Sequence, residues 1–341
     1  MMKRSTITDV AKDAGVSIKT VSRVVRKEPN VSEETRKLVE ASVAKLNYRP
    51  TISARSTVSA RSFLLGLVFD NPNPSYTFEL LLGAQEAARD NGYHLVFEAL
   101  DSGTKKLGDA ITELMIQGNL EGVIVPPPLC DDPGLLGALS KLNRPFARIA
   151  PGTQPSLGFS VTMDDEAAAC YITEHLTKLG HKRIGYVLGR KGTATTRKRL
   201  AGYRKALGLA GIEYDDTLTY QGDFQLKSGV EGGYALLDLK EQPTAIFASN
   251  DDMAAGVMIA ARSRGLKVPE DLSVAGFDDS ETARGTWPPL TTIRQPVHEM
   301  AAAAAKAIID YGRKGRDGDI ENVELDFELI ERQSTGPAKL S

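Results

Sequence analysis

Two groups of residues in this chain have the side chains and the spacing to do chemistry. The first lies between Ile7 and Val25. At about 100° per residue, Ile18, Lys19, Ser22 and Arg23 share one face of a helix, while Val21 and Val24 share the other. The polar face offers hydrogen-bond donors and positive charge, and the valines give the helix a side to bury. The second group is three polar clusters, each following an apolar run: Asp70 to Asn73, Asn250 with Asp251, and Asp278 with Asp279. In open parallel sheets ligands sit beyond the carboxyl ends of the strands, so carboxylates and amides in those places are candidates for holding a small polar molecule.

Other reactive side chains form no recognisable centre. The four histidines, His94, His175, His181 and His298, are scattered without metal-ligand spacing. There is no G-x-S-x-G elbow. The run from Gly189 to Thr196 lacks the Gly-Lys-Ser/Thr of a phosphate loop. Asp164 and Asp165 stand together at a strand-to-helix junction, where adjacent acids commonly cap. Two isolated cysteines, Cys130 and Cys170, argue against a disulfide scaffold and fit a reducing cytoplasm. No catalysis, metal or cofactor is expected.

The basic face needs a scaffold, and the sequence supplies one. Val10, Ala11 and Ala14 give a first helix an apolar side, Gly15 allows a sharp turn, and Ser17 is placed to cap the second helix. Ser32 is placed to cap a third helix, whose Glu33 and Glu34 suit the positive end of the dipole. Leu38, Val39, Val43 and Leu46 are expected to close a three-helix core, and Pro50 ends the unit. This is the sequence form of a helix-turn-helix, an arrangement that lays its second helix in the DNA major groove. Charge agrees: residues 1–61 carry thirteen Lys/Arg against six Asp/Glu, a net of +7, which leaves −9 on the remainder.

Residues 51–62 are rich in Ser and Ala and too poor in apolar side chains to fold alone, so they read as a plain linker or as a segment that becomes helical only on DNA. From Phe63 onward, apolar runs alternate with amphipathic helices, the mark of parallel α/β sheets. Strands are expected at 64–69, 94–98, 122–125, 146–149, 183–188, 217–220, 245–248 and 273–277. Helices are expected at 78–91, 165–180, 199–211, 228–239 and 253–265, with an Ala-rich, tightly packed one near 300–309. Two β-α-β series of similar length suggest two Rossmann-like lobes with a cleft between them. The domains are therefore residues 1–50, a hinge at 51–62, a two-lobed body at 63–334 and a tail at 335–341. No apolar leader follows the N-terminus and no run approaches the ~20 residues of a membrane span, so a cytoplasmic location is expected.

The chain resembles the LacI family, the lactose and purine repressor group of bacterial transcription regulators. The resemblance rests on residues 8–17, 20–24 and 46–50, then 180–185, 199–203, 249–251, 276–279 and 289–293, in the family's order and over nearly the whole chain. It implies a DNA-binding head, a hinge helix, an effector domain like the periplasmic sugar-binding proteins, and a homodimer. Ile18, Lys19 and Arg23 then fall where the family reads bases: Arg23 toward guanine O6/N7, Lys19 toward guanine or phosphate, Ile18 toward a thymine methyl. Ser17, Thr20 and Ser22 fall at phosphate contacts, with Ser17 equally suited to its cap. Thr8, Asn30 and Tyr48 complete the contacts expected of the head. In the hinge, Ala54 and Arg55 fit the minor groove, but the family's wedging leucine is replaced by Thr57, so either the kink is weaker or Val58 takes over.

In the body, the resemblance places effector contacts at Arg199, Asn250 and Asp278, with Phe224 as a stacking aromatic. A guanidinium, an amide and a carboxylate around one aromatic face suit a polyhydroxylated ring. Asn73, Tyr76 and Gln295 are expected to join them, and Asn250 also fits a helix cap. Arg148, where the lactose repressor has an acid, either favours an anionic ligand or pairs with Asp70 or Asp164. The implied function is a DNA-binding regulator, most simply a repressor on a pseudo-palindromic operator, switched by a small molecule of the sugar or glycoside class. The rival reading, a periplasmic-type solute-binding protein, does not account for the basic head. Beyond Glu331 there are no leucine heptads, so no tetramer through a C-terminal coiled coil is expected.

Overall fold

A computed structural model describes residues 5–25, 29–48, 61–70, 73–104, 106–154, 156–314 and 322–339. The chain divides into two compact units, Met1–Phe63 and Leu64–Ser341.

In the first unit, α1 (Ile7–Asp13) opens with a capping box in which the Thr6 hydroxyl accepts from Asp9 N–H and the Asp9 carboxylate accepts from Thr6 N–H. Gly15 turns the chain at φ +65°, a left-handed value that favours glycine. Ser17 Oγ then accepts Thr20 N–H at 3.1 Å, and α2 (Ile18–Val25) follows. Ser32 caps α3 (Glu33–Lys45). Val10, Val21, Val24, Val39 and Tyr48 form the buried core, with Val43 and Leu46 packed against it. Leu38 is not part of that closure: it is 53% exposed. The inner face of α3 runs through Val39 and Ser42, and Leu38 lies about 100° around the helix from Val39.

The second unit contains two parallel sheets. The first has six strands, in the order 323–324, 159–162, 146–149, 122–125, 64–69, 94–99; in chain order these are β1 (Leu64–Phe69), β2 (His94–Ala99), β3 (Gly122–Val125), β4 (Phe146–Ile149), β5 (Phe159–Thr162) and, much later, β11 (Val323–Glu324). The second sheet runs β7 (Thr219–Gln221), β6 (Ile184–Leu188), β8 (Ala245–Ala248), β9 (Ser273–Ala275). Strands β10 (Thr292–Arg294) and β12 (Glu328–Ile330) pair antiparallel. The near-continuous apolar runs of β1, β3, β4, β5, β6, β8 and β9 are buried on both faces, as the inner strands of parallel sheets are, whereas the edge strands β2 and β7 are partly exposed.

Helices α4 (Pro74–Asp90), α5 (Leu107–Gln117) and α6 (Pro133–Lys141) belong to the first sheet's half of the chain. Helices α7 (Asp165–Lys178), α8 (Ala194–Leu209), α9 (Leu226–Leu237), α10 (Asp251–Ser263) and the short α11 (Glu281–Gly285) follow, and α12 (Val297–Lys314) returns to the first sheet. Its alanines 301, 304 and 305 are fully buried, as the Ala-rich pattern implied. It lies so close to α4 that a Cβ at Gly83 would stand 2.0 Å from the His298 carbonyl oxygen.

Several elements differ from expectation, among them α8, which begins at Ala194 rather than Arg199 behind its Thr193 cap. Helix α4 begins at Pro74, not Phe78, because Asn73 accepts Tyr76 N–H and Pro74 occupies the first turn. The strand expected at 217–220 starts only at Thr219, since Asp215 binds both the amide and the hydroxyl of Thr217 and winds 216–218 into a 3₁₀ turn. The residues set apart as a tail are built into the second lobe as far as they are described. Ser334 donates to Val274 O and accepts Thr291 N–H, Gly336 N–H donates to Ser273 Oγ, and Ala338 N–H donates to Leu179 O.

Candidate functional site

Two surfaces collect the residues expected to act. On the head, Ile18 is 48% exposed, Thr8, Ser17, Lys19, Arg23 and Asn30 are exposed, and Thr20 and Ser22 are half-buried. On α2 the buried Val21 and Val24 fix the opposite side, so Ile18, Lys19 and Arg23 are presented outward from a helix whose orientation the core sets. Ser17 and Thr20 are tied together, Oγ to Oγ1 at 2.9 Å, so both serve the cap. Tyr48 is corrected: it is 7% exposed and belongs to the core rather than to the outer face. Ala54, Arg55, Thr57 and Val58 lie outside the described residues.

In the second unit, a cavity of about 50 Å³, open to solvent, is lined by Asn73, Tyr76, Arg199, Phe224, Asn250, Asp278 and Gln295, together with Pro127, Ala150 and Thr195. Every polar cluster sits just past a strand of one or other sheet, which is why segments far apart in sequence converge. Arg199, on α8, is 3% exposed. Its Nε donates to Asp165 at 2.8 Å, its Nη1 to Ser249 O at 2.6 Å, and its guanidinium lies 3.7 Å from the centre of the Phe277 ring. Burial opposes its charge, but Asp165 and then Asp278 hold it protonated. With Nε and Nη1 engaged, Nη2 has no hydrogen bond among the described residues.

Asp278 accepts from Gln295 Nε2 at 2.5 Å. Burial and the charge of Asp251 push its carboxyl well above the usual range, and Arg199 pulls the other way. Asn250 does two things at once: Oδ1 caps α10 by accepting Met253 N–H at 3.0 Å, and Nδ2 donates to Phe224 O at 2.9 Å, fixing the loop that carries that ring. The ring itself rests on Gly189, where a Cβ would stand 2.1 Å from it. Three lining residues, Ala150 (φ +48°), Phe224 (φ +71°) and Asp278 (φ +125°), hold left-handed backbone that ordinary residues rarely adopt. Such conformations persist only where the surroundings over-determine them, and they cluster at ligand sites.

The neighbours of these residues have different duties. Asp279 is buried beneath the cleft and binds Arg284, Arg294 and Arg332. Burial pushes its carboxyl up, but the hydrogen bonds from Arg332 and Arg294 bring it below the usual carboxylate value. Asp251 is fully buried, accepts from Thr292 Oγ1 at 2.6 Å and from Ser280 N–H and Oγ at 2.8 and 3.0 Å, and is pushed up to about 7 by burial. Asp164 caps α7 and Asp165 holds Arg199, so that acidic pair is structural.

Arg148 is corrected. It is 0% exposed and does not line the cavity. Its partners are neither Asp70 nor Asp164 but Asp131, at 2.9 Å, and the carbonyls of Cys130, Thr153, Gln154 and Leu157. A buried guanidinium needs every donor met; the loop after β4 supplies three of the carbonyls and the turn after β3 supplies that of Cys130. The sequence reading missed Pro127, Ala150 and Thr195. The first two follow β3 and β4 closely, so the rule that found the polar clusters would have found them had apolar residues been counted.

Among the described residues, no cluster of His, Cys, Asp or Glu could hold a metal, and no helix is long and apolar enough to cross a membrane. A profile described as bacterial regulatory proteins, lacI family, matches residues 6–51, and one for a periplasmic binding protein-like domain matches residues 173–335. The chain is 35% identical over 338 residues to the HTH-type transcriptional regulator DegA of Bacillus subtilis, covering 98% of this chain and 99% of that one. It is 33% identical to catabolite control protein A of Priestia megaterium, covering 97% and 99%. Among solved structures, a lac repressor dimer bound to operator and the anti-inducer ONPF superposes with a TM-score of 0.81 at 30% identity, covering 98% of this chain and 100% of that one. The complex of the regulator CelR with cellobiose gives 0.74 at 30% identity, covering 97% and 100%.

Proposed function

The chain belongs to the lacI family of bacterial regulatory proteins and is a DNA-binding regulator of transcription; we propose that it acts as a homodimeric repressor whose hold on a pseudo-palindromic operator is set by a carbohydrate in the cleft. The observation that carries the DNA reading is the two-faced α2, locked by Val21 and Val24 and open at Ile18, Lys19 and Arg23. Arg23 and Lys19 read bases, Ile18 meets a thymine methyl, and Ser17, Thr20 and Ser22 contribute phosphate contacts, with Thr8 and Asn30 beside them. Two heads on one dimer read two half-sites related by symmetry. Such a protein works where the DNA is, in the cytoplasm, and by binding rather than by catalysis.

The carbohydrate reading is supported by the lining of the cleft. Arg199 offers a donor, Asp278 an acceptor, Asn73 and Gln295 amides, and Phe224 and Tyr76 aromatic surface. Hydroxyls donate and accept at once, and this mixed set satisfies both. The cellobiose complex of a relative agrees. A ligand that prefers the closed cleft shifts the dimer by no more than its difference in affinity for the two arrangements.

Selection of the intact protein against a randomised duplex pool tests the first half. A recovered palindrome is expected, with binding that falls steeply as salt rises. Arg23→Ala should cost about 1–3 kcal/mol and relax the choice of base at one position in each half-site. Recovery of no preferred sequence would overturn the reading. A thermal-shift screen of sugars and glycosides tests the second half, since a ligand of the native state raises the melting temperature.

A further inference from the structure

Beside the cavity that holds Arg199 and Asp278, and sharing Pro127, Ala150 and Thr195 with it, lies a second chamber of about 250 Å³. The polar lining of that chamber is Ser102, Asp131, Arg190, Lys191 and Thr193. Its character is unlike that of the first chamber. No aromatic ring lines it, so a second neutral sugar ring would find nothing to stack on. Its one carboxylate is already committed: Asp131 binds Arg148 Nη2 at 2.9 Å and accepts from Gly152 N–H, Thr153 N–H and Thr153 Oγ1.

Two cations remain. Arg190 reaches across the cleft, donating to Ser102 Oγ at 3.1 Å and pairing loosely with Asp70, 3.4 Å to Oδ2 and 3.5 Å to the carbonyl oxygen, through one nitrogen rather than as a bidentate pair. Lys191 is exposed and makes no ion pair among the described residues. On the other side of Tyr76, Asp278 and Gln295 the lining has mixed charge: Glu79, Asp279, Glu281 and Glu299 stand with Arg284 and Arg294, which pair with Glu281 and Asp279. The second chamber differs in having two cations against one carboxylate that is bound internally, so an anionic group on a ligand is better placed there than among the self-paired charges beyond Gln295.

We propose that the effector carries an anionic substituent, a phosphate monoester or a carboxylate, which seats against Lys191 and Arg190 in the second chamber while its ring occupies the first. This rests on the reading of the first chamber as a sugar site. Titration calorimetry on the intact protein tests it with matched probes: glucose, glucuronate and glucose 6-phosphate, and the corresponding galactose, mannose and fructose compounds where they exist. In any series that binds, a charged member is expected to bind at least about tenfold more tightly than its neutral parent. The carboxylate and phosphate arms identify which anion is used. Lys191→Met should collapse that preference, whereas Lys227→Met, on an exposed lysine paired only with Glu231, should keep it. An unchanged melting temperature without ligand shows that either variant is folded. A neutral sugar that binds as tightly as its charged relatives, or a preference that survives Lys191→Met, overturns the anion proposal and leaves the sugar site standing. If no member of any series binds, the sugar reading falls and the anion proposal falls with it.

Discussion

Asp251 shows how one carboxyl can tie the cleft to pH. It is fully buried and pushed up to about 7, so the folded state holds its proton at a pH where the unfolded chain, near 3.9, has lost it. The stability it contributes is complete below about pH 4 and is lost as pH rises through 7. Asp251→Asn should therefore destabilise more at about pH 5 than at about pH 8, as read by urea denaturation at the two values. A cost that grows toward alkaline pH would contradict this. At the same scale, strand-end placement made Asn73, Asn250 and Asp278 legible as cleft residues. It could not distinguish Asp278 from Asp279, or Asn250 from Asp251, because adjacent residues at a strand end point to opposite sides and only the packed neighbours decide which side is the cleft. Arg148 was misjudged for the same reason: its position in sequence is a ligand position, but its side chain turns to Asp131 and to carbonyls of the turns after β3 and β4.

Among the elements, the strands and most helices were legible because parallel sheets bury both faces and leave unbroken apolar runs. Helix starts were less so. Asn73 and Thr193 cap α4 and α8 several residues before the apolar periodicity begins, and a side-chain hydrogen bond of this kind leaves no periodic trace. The turn after β6 matters most for function, since Gly189 leaves room for the Phe224 ring. Gly189→Ala should push that ring aside, by the 2.1 Å contact a Cβ would make. The expected outcome is effector affinity reduced about tenfold or more with little change in melting temperature, checked by calorimetry beside differential scanning. Equal affinity in both proteins would show that the ring takes no part.

For the whole molecule, the chain enters each lobe more than once. The first sheet is completed by β11 and covered by α12, and the second lobe is strapped by residues 334–338, all from the last fifth of the sequence. A chain stopped after Pro296 should therefore lose both lobes together, with limited proteolysis leaving no stable fragment from 64–162. Survival of that fragment would show that the first lobe stands without its late pieces. The consequence reaches back to synthesis. As the polypeptide leaves the ribosome, the head, a separate unit with its own core, is finished almost at once, whereas neither half of the body can close until translation is nearly done. A message cut short in its last fifth would thus release a head able to fold but joined to no finished body with which to hear the cell.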